Sequence, residues 1–354
     1  MRVLHAYCLN YNIGDYALGV GVKNLLRHYL PIELIGETNL QGRVFDDYYI
    51  EEVLNKRYTL LVIGGGGIIH GAHWPYGWFW LIKQNLIKKI KIPLIVYGVG
   101  YNYFKGEIGI PERGVEHIGE TIRQAAYFSV RNDGSYERLK DQTSYDVPEI
   151  PDPGFHVALN STYYRLVEEP YVIVQLANDK PESRFGNEAN KIQFVQNMRH
   201  IVTQLSKRYK VILTPHVLDD VYISHEVVKG ISNTEVWNFG YYAFDHCMEA
   251  LAYYKYADFV LAMRGHGQII PIGFNIPVIS LENHAKNRVL MDKLGLGYLN
   301  VDILDQEFSK KITQLIEHVE DKREELCKNL EAINHDLAKQ TENVFVDITY
   351  RLHV

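Results

Sequence analysis

The stretch Asp258–Leu281, DFVLAMRGHGQIIPIGFNIPVISL, decides the fold. Its pattern predicts a buried strand at Phe259–Ala262, a tight polar turn at Met263–Gly267, a helix over Gln268–Phe274 and a second strand at Val278–Leu281. Arg264 and His266 stand where the strand gives way to the helix. That place is the carboxyl end of a sheet, where open α/β folds bind ligands. A helix opening just after Gly267 would present free N–H groups and a partial positive charge to an anion. Gly265 and Gly267 would let the backbone come close to it. The residues therefore read as an anion clamp of Arg, His and backbone N–H. The competing reading is a buried arginine satisfied by carbonyls. Arg264, His266, Gln268, Asn275 and two prolines argue against a membrane-spanning helix here.

Outward from this stretch, strand and helix patterns alternate along the chain. Toward the N-terminus, strands are expected at Arg2–Tyr7, Leu60–Ile63, Pro93–Val99, Ala126–Val130, Tyr171–Leu176 and Val211–Thr214. Helices are expected at Ala17–Tyr29, Lys191–Lys207 and, for the most part, Tyr241–Tyr254, with a long amphipathic segment at Ser309–Lys339. This alternation predicts parallel sheets. The pattern breaks between about Pro151 and Pro170, where we place a linker. The fold class expected is α/β, with two Rossmann-like domains whose parallel sheets face each other across a cleft. They span 1–160 and 170–335, with 336–354 crossing back to the first.

The length of 354 residues suits about two domains at roughly 150 residues each. Hydrophobic residues make up 47% and charged residues 23%, an ordinary globular composition, and the net charge of −6 argues against a general nucleic-acid binder. Cys8, Cys247 and Cys327 are odd in number and far apart, which points to a reducing cytosol. Residues 1–9 hold too short an apolar run for a signal peptide.

Several smaller features carry chemistry. The first strand runs into LNYNIGD, Leu9–Asp15, a turn-rich loop in which Asp15 can cap the helix that follows. Gly64–Gly67 follow the second strand and remove side chains where a ligand or another backbone must come close. HGAHWPYGWFW comes next, with His70, His73, Trp74, Tyr76, Trp78 and Trp80. No third ligand accompanies the two histidines, so no metal is expected. The aromatics read as core, as a platform for sugar rings or as a contact with a membrane surface. Arg131 stands at a strand end and is followed by Ser135 and a helix pattern.

These pieces together resemble the polysaccharide pyruvyl transferase family, whose enzymes fold like the two-domain GT-B glycosyltransferases. The resemblance rests on Asn12-Ile-Gly-Asp15-Tyr-Ala-Leu, the Gly64–Gly67 run, Tyr97-Gly-Val-Gly100 and Ser129-Val-Arg131-Asn-Asp-Gly-Ser135. It continues through Asp152-Pro-Gly-Phe155, Met263-Arg-Gly-His266, Pro277-Val-Ile-Ser and His284-Ala-Lys286, where Lys286 fits a lysine of the family. Two departures stand out. Gly265 replaces a bulky residue, commonly leucine, and Asn132 stands between Arg131 and Asp133.

The resemblance implies transfer of a pyruvyl group from phosphoenolpyruvate to two hydroxyls of a sugar, with phosphate released. That chemistry demands a general acid and a base, for which His266 and Asp15 are the candidates, and His266 either holds the phosphate or does this acid–base work. Arg131, Arg264, Gly265, Gly267, Ser135 and Lys286 are assigned to the donor, the two arginines sharing one pocket. Asn12, Gly65, Gly66, His70, Trp74 and Trp78 are assigned to the acceptor. The donor's charge is nearer and larger than that of a helix end, so His266 is expected to gain a proton as the donor binds. No cofactor and no metal is required. The acceptor is a sugar of a polysaccharide, free or lipid-linked, and the place of work is the cytoplasm with peripheral contact to the inner membrane surface. Two other readings share the fold: a glycosyltransferase using a nucleotide sugar, and a glycan-binding protein without turnover.

Overall fold

Twelve strands form among the described residues, and every pairing between them is parallel. The computed structural model describes residues 1–9, 12–102, 108–159, 161–242 and 246–354. The strands are β1 (Arg2–Tyr7), β2 (Leu34–Asn39), β3 (Leu60–Gly64), β4 (Leu94–Val99), β5 (Tyr127–Arg131), β6 (Glu149–Ile150), β7 (Tyr171–Gln175), β8 (Lys210–Leu213), β9 (Thr234–Val236), β10 (Val260–Ala262), β11 (Val278–Glu282) and β12 (Asn300–Asp302). They make two six-stranded sheets, ordered β2-β1-β3-β4-β5-β6 and β12-β11-β10-β7-β8-β9. The strand order reverses between β1 and β3 in the first sheet and between β7 and β10 in the second. Such switch points open a crevice beyond the carboxyl ends of the strands.

The chain divides into two units. The first comprises Met1–Leu9, Leu18–Asn160 and Leu337–Val354. The second comprises Asn10–Ala17 and Ser161–Asp336. The short segment Asn10–Ala17, expected in the N-terminal domain, thus belongs to the second unit.

In the first unit the central strands are buried on both faces. Leu4, Ala6, Leu61, Ile63, Val96 and Val130 pack into one core with Trp78 and Trp80. Val3, Leu60, Val62 and Ile95 pack into another with Val22, Leu25 and Leu26. Strands covered on both sides need apolar residues at nearly every position, which is why they read as continuous runs. Phe345 and Ile348 of the C-terminal helix close the second core. Phe345 stacks on Tyr29 with ring centroids 4.6 Å apart, a pair worth about 1 kcal/mol beyond its burial.

Several boundaries differ from expectation for physical reasons. The first helix spans Ile13–Tyr29 and starts early because Asn12, not Asp15, caps it. The Asn12 side-chain oxygen accepts the N–H of Gly14 at 3.0 Å. The helix after β10 is Gly265–Gly273, so both glycines and His266 lie inside its first turn. Ser309–Lys339 resolves into two helices, Phe308–Asp321 and Arg323–Leu352. Tyr241–Tyr254 overlaps two helices, Phe239–Tyr242 and Cys247–Lys255, while residues 243–245 lie outside the described residues, as do residues 10 and 11 of the first loop and 160 of the linker.

Candidate functional site

In the second unit, side chains from four strand-end loops meet at the switch point between β7 and β10. Gln175 ends β7 and is fully buried. Its side-chain oxygen accepts the N–H of Arg264 at 2.7 Å, which fixes the loop after β10. Arg264 then turns its guanidinium onto Asp220. Nε donates to Oδ2 at 2.7 Å and Nη2 to Oδ1 at 2.7 Å. Nη2 also donates to Asp179, and Asp179 accepts from Arg184 at 2.8 Å. Arg184 in turn donates to Asn283, which holds the Met263 carbonyl at 2.6 Å.

Asp220 is the hub of this network. It is fully buried and accepts the N–H groups of Asn178 at 2.9 Å, His216 at 3.2 Å and Val217 at 3.3 Å. These amides come from the loops after β7 and β8. One carboxylate therefore ties three loops together and neutralises a buried cation. The two arginines and two aspartates sum to zero charge, as burial requires. Burial opposes the charge on Arg264, but Asp220 and Asp179 outweigh it and raise its pKa above the ordinary value. Burial likewise raises Asp179, yet the two arginines bring its pKa down on balance. Burial pushes the His216 pKa well down, helped by the charges of Arg264 and His266, so its imidazole is neutral and exchanges a 2.6 Å hydrogen bond with the Tyr254 hydroxyl.

The structure thus changes the reading of Arg264. It was expected to clamp an anion, yet its Nε and Nη2 are already bound by carboxylates. Nη1 alone has no hydrogen-bond partner among the described residues, and the side chain is 15% exposed. Beside it, the helix Gly265–Gly273 starts at Arg264, whose own side chain makes no capping hydrogen bond to the first turn.

The segment Asn12–Ala17 joins this site. The Ile13 N–H donates to the His216 carbonyl at 3.2 Å. Gly14 lies so close to the His266 ring that a Cβ there would collide with its Nδ1. Asn12, Asp15 and His266, some 250 residues apart in sequence, are therefore all in the second unit. That puts Asn12 in the second unit, not in the first, to which the acceptor side was assigned. His284 caps the next helix, Ala285–Lys293, by accepting the Lys286 N–H at 3.1 Å.

Arg131 is a different case, in the first unit. Its Nε donates to Asp133 at 2.8 Å and its Nη1 to Asp152 at 3.0 Å, with the side chain only 8% exposed. Its guanidinium lies on the α-carbon of Gly100, where a Cβ would collide with it. Asp152 also accepts the Gly154 N–H at 2.8 Å and so starts the turn Pro153–His156. Burial raises the Asp152 pKa despite the Arg131 charge. Ser135, assigned to the donor, is fully buried. It donates to Asp133 and accepts the Tyr101 N–H at 2.8 Å.

The acceptor assignments in the first unit are corrected in part. Trp78 is fully buried, and its indole N–H donates to His117 Nδ1 at 2.9 Å, while the far nitrogen of His117 meets the Ile82 carbonyl at 2.7 Å. It is a core residue because its one polar atom finds a partner inside. Trp80 and Phe79 are buried beside it. Trp74 is half-buried against Phe79, and His70 stacks on the same ring at 4.4 Å. The stretch therefore builds no broad apolar face for a membrane. Gly65 and Gly66 are buried with φ of +75° and +87°, a backbone shape that side chains resist, which accounts for them without a ligand. No described helix is long and apolar enough to cross a membrane.

Gln175, Asp179, Arg184, Asp220 and Asn283 were missed in the sequence. A polar residue ending an apolar strand, as in VIVQL, and the Asp219–Asp220 pair just after β8 were the available signals.

Two Rossmann-like units of parallel sheet make this an α/β protein of GT-B-like fold. The chain belongs to the polysaccharide pyruvyl transferase family, which it matches over residues 12–285. No curated protein matches its sequence. Among solved structures, the UDP co-structure of MnaA from S. aureus is similar, with a TM-score of 0.58 and 10% identity over 99% of this chain and 97% of that one. The glycosyltransferase SnogD from Streptomyces nogalater gives a TM-score of 0.53 and 11% identity over 99% of each chain. The UDP-GlcNAc 2-epimerase from Methanocaldococcus jannaschii gives 0.53 and 12%, over 90% of this chain and 92% of that one. At such identities these likenesses show the fold alone.

Proposed function

We propose that the protein transfers a pyruvyl group from phosphoenolpyruvate to two hydroxyls of one sugar, forming a cyclic ketal and releasing phosphate. The observation that carries this reading is the meeting of Gly14 and the His266 ring beside Arg264, which unites two motifs of the family at one switch point. Arg264 Nη1 and the first-turn amides after it hold an anionic group of the donor. His266, protonated as the donor binds, gives a proton to the methylene carbon, and C2 takes on oxocarbenium character. One sugar hydroxyl adds to C2, the bond from C2 to the phosphate oxygen breaks, and the second hydroxyl closes the ring. Of the two hydroxyl protons, one replaces that given to carbon and the other leaves with phosphate. In this reading Asp15 takes one of them.

This chemistry needs no redox cofactor and no metal. The acceptor is a sugar of a polysaccharide or of its lipid-linked precursor, and phosphoenolpyruvate places the work in the cytoplasm. Thermal shift tests the donor. Phosphoenolpyruvate at about 100 times its dissociation constant should stabilise the protein by about 2.7 kcal/mol. Stabilisation by UDP and none by phosphoenolpyruvate would turn the reading to a nucleotide-sugar glycosyltransferase. Phosphate release that depends on an added glycan then tests turnover.

A further inference from the structure

We infer that Asp220 is the positioning residue of the anion site: it locks Arg264 so that Nη1 is the one guanidinium nitrogen presented to a ligand. The inference deepens the proposed function and rests on Arg264 as a donor contact. Three observations lead to it. First, Asp220 takes both Nε and Nη2 of Arg264, each at 2.7 Å, so the plane of the guanidinium is fixed by a bidentate pair. Second, the carboxylate cannot swing away. Backbone N–H groups of Asn178, His216 and Val217 hold its two oxygens, and it is fully buried. Third, Nη2 gives its second hydrogen to Asp179, which leaves Nη1 as the nitrogen without a described partner.

The consequence concerns ligand chemistry. A locked arginine with one open nitrogen donates to a single oxygen, or to two oxygens of one group, from a set direction. It does not wrap a carboxylate with a parallel fork. A tetrahedral phosphate oxygen beside the helix start meets Nη1 and the first-turn amides together, so the phosphate is the group expected there.

The sign of one substitution separates positioning from mere charge balance. Asp220→Asn removes a negative charge next to the anion site. Were Asp220 only a counter-charge, the variant would bind anions more tightly. As a positioning residue, its loss frees the guanidinium, and donor affinity falls by about 10-fold or more. The measurements are calorimetric titration of phosphoenolpyruvate, UDP and inorganic phosphate into wild type and variant, with near-ultraviolet circular dichroism to confirm folding. A folded variant with weaker binding of whichever anion wild type takes, inorganic phosphate included, supports the inference, whereas unchanged or tighter binding overturns it. Should Asp220→Asn fail to fold, Asp179→Asn serves instead. Asp179 holds the same Nη2 and its side chain is 26% exposed. A fall of about 3-fold or more is expected there, and equal or tighter binding overturns the inference. Wild type that takes UDP and ignores phosphoenolpyruvate defeats the proposed donor while leaving the role of Asp220 to be read on UDP. Wild type that binds none of the three overturns both.

Discussion

Arg131 and Arg264 hold the same local place in their units, at the end of a buried strand and shortly before a helix that opens near a glycine. Their surroundings differ. Arg131 ends β5, the third strand out from the first unit's switch point, and its carboxylate partner Asp152 starts a turn of the chain. Arg264 follows β10 at the second unit's switch point, and its partners gather the strand-end loops. The lesson is that an arginine at a strand end says little by itself. Its distance from the reversal in strand order says more, because only there do neighbouring loops diverge and leave room for a ligand. Arg131 is accordingly structural in our account, and Arg264 is the arginine we propose for the ligand.

Acid should widen the contrast between the units most. Burial holds His5, His117 and His156 of the first unit at pKa values of about 4, against 6.5 when unfolded. The folded state therefore binds protons less readily than the unfolded state. Stability is complete above pH 6.5 and is lost as the pH falls from there toward 4. At 1.36 kcal/mol per pKa unit, the loss is on the order of 3 kcal/mol for each histidine. Tryptophan fluorescence follows it, since Trp74, Trp78 and Trp80 lie in the first unit and Trp237 in the second. A flat urea midpoint from pH 7 to pH 4.5 would contradict the buried neutral state.

Arg131→Ala tests the comparison directly. It strands Asp152 and Asp133 without their cation, which should cost about 3–5 kcal/mol in urea unfolding. If the variant keeps wild-type stability and loses donor affinity instead, the two arginines are alike after all. His266→Gln should lower turnover at saturating donor by roughly 100-fold, the scale for a lost general acid, with the urea midpoint little changed. Full turnover in that variant removes His266 from the chemistry. The smallest effect belongs to Trp78→Phe. It leaves the His117 Nδ1 without its donor and should cost about 1–3 kcal/mol of stability, with no change in the acceptor KM. A raised acceptor KM at wild-type stability would return Trp78 to the binding surface.

The sequence made the central strands legible and hid the rim. β2, β6, β9 and β12 went unread, and all four are the edges of their sheets. An edge strand is covered on fewer sides, so its residues need not be apolar. β2 reads LIGETN from Leu34, and all three residues of β9 are partly exposed. The buried central strands had to be apolar throughout, and that requirement is what a linear pattern records.

By itself, the sequence determined the alternation of strand and helix, the parallel sheets, the loop of Arg264 and His266, and the family. These follow from periodicity and short motifs, which are properties of neighbours along the chain. Only the tertiary structure decided what each charge does. Asp220 lies 44 residues from Arg264, and Asn12 lies more than 250 from His266. A buried cation must find a carboxylate, but nothing local says which one. The same holds for Trp78, whose indole N–H is satisfied by His117, 39 residues on. Burial sets the demand for a partner, and the fold chooses the partner.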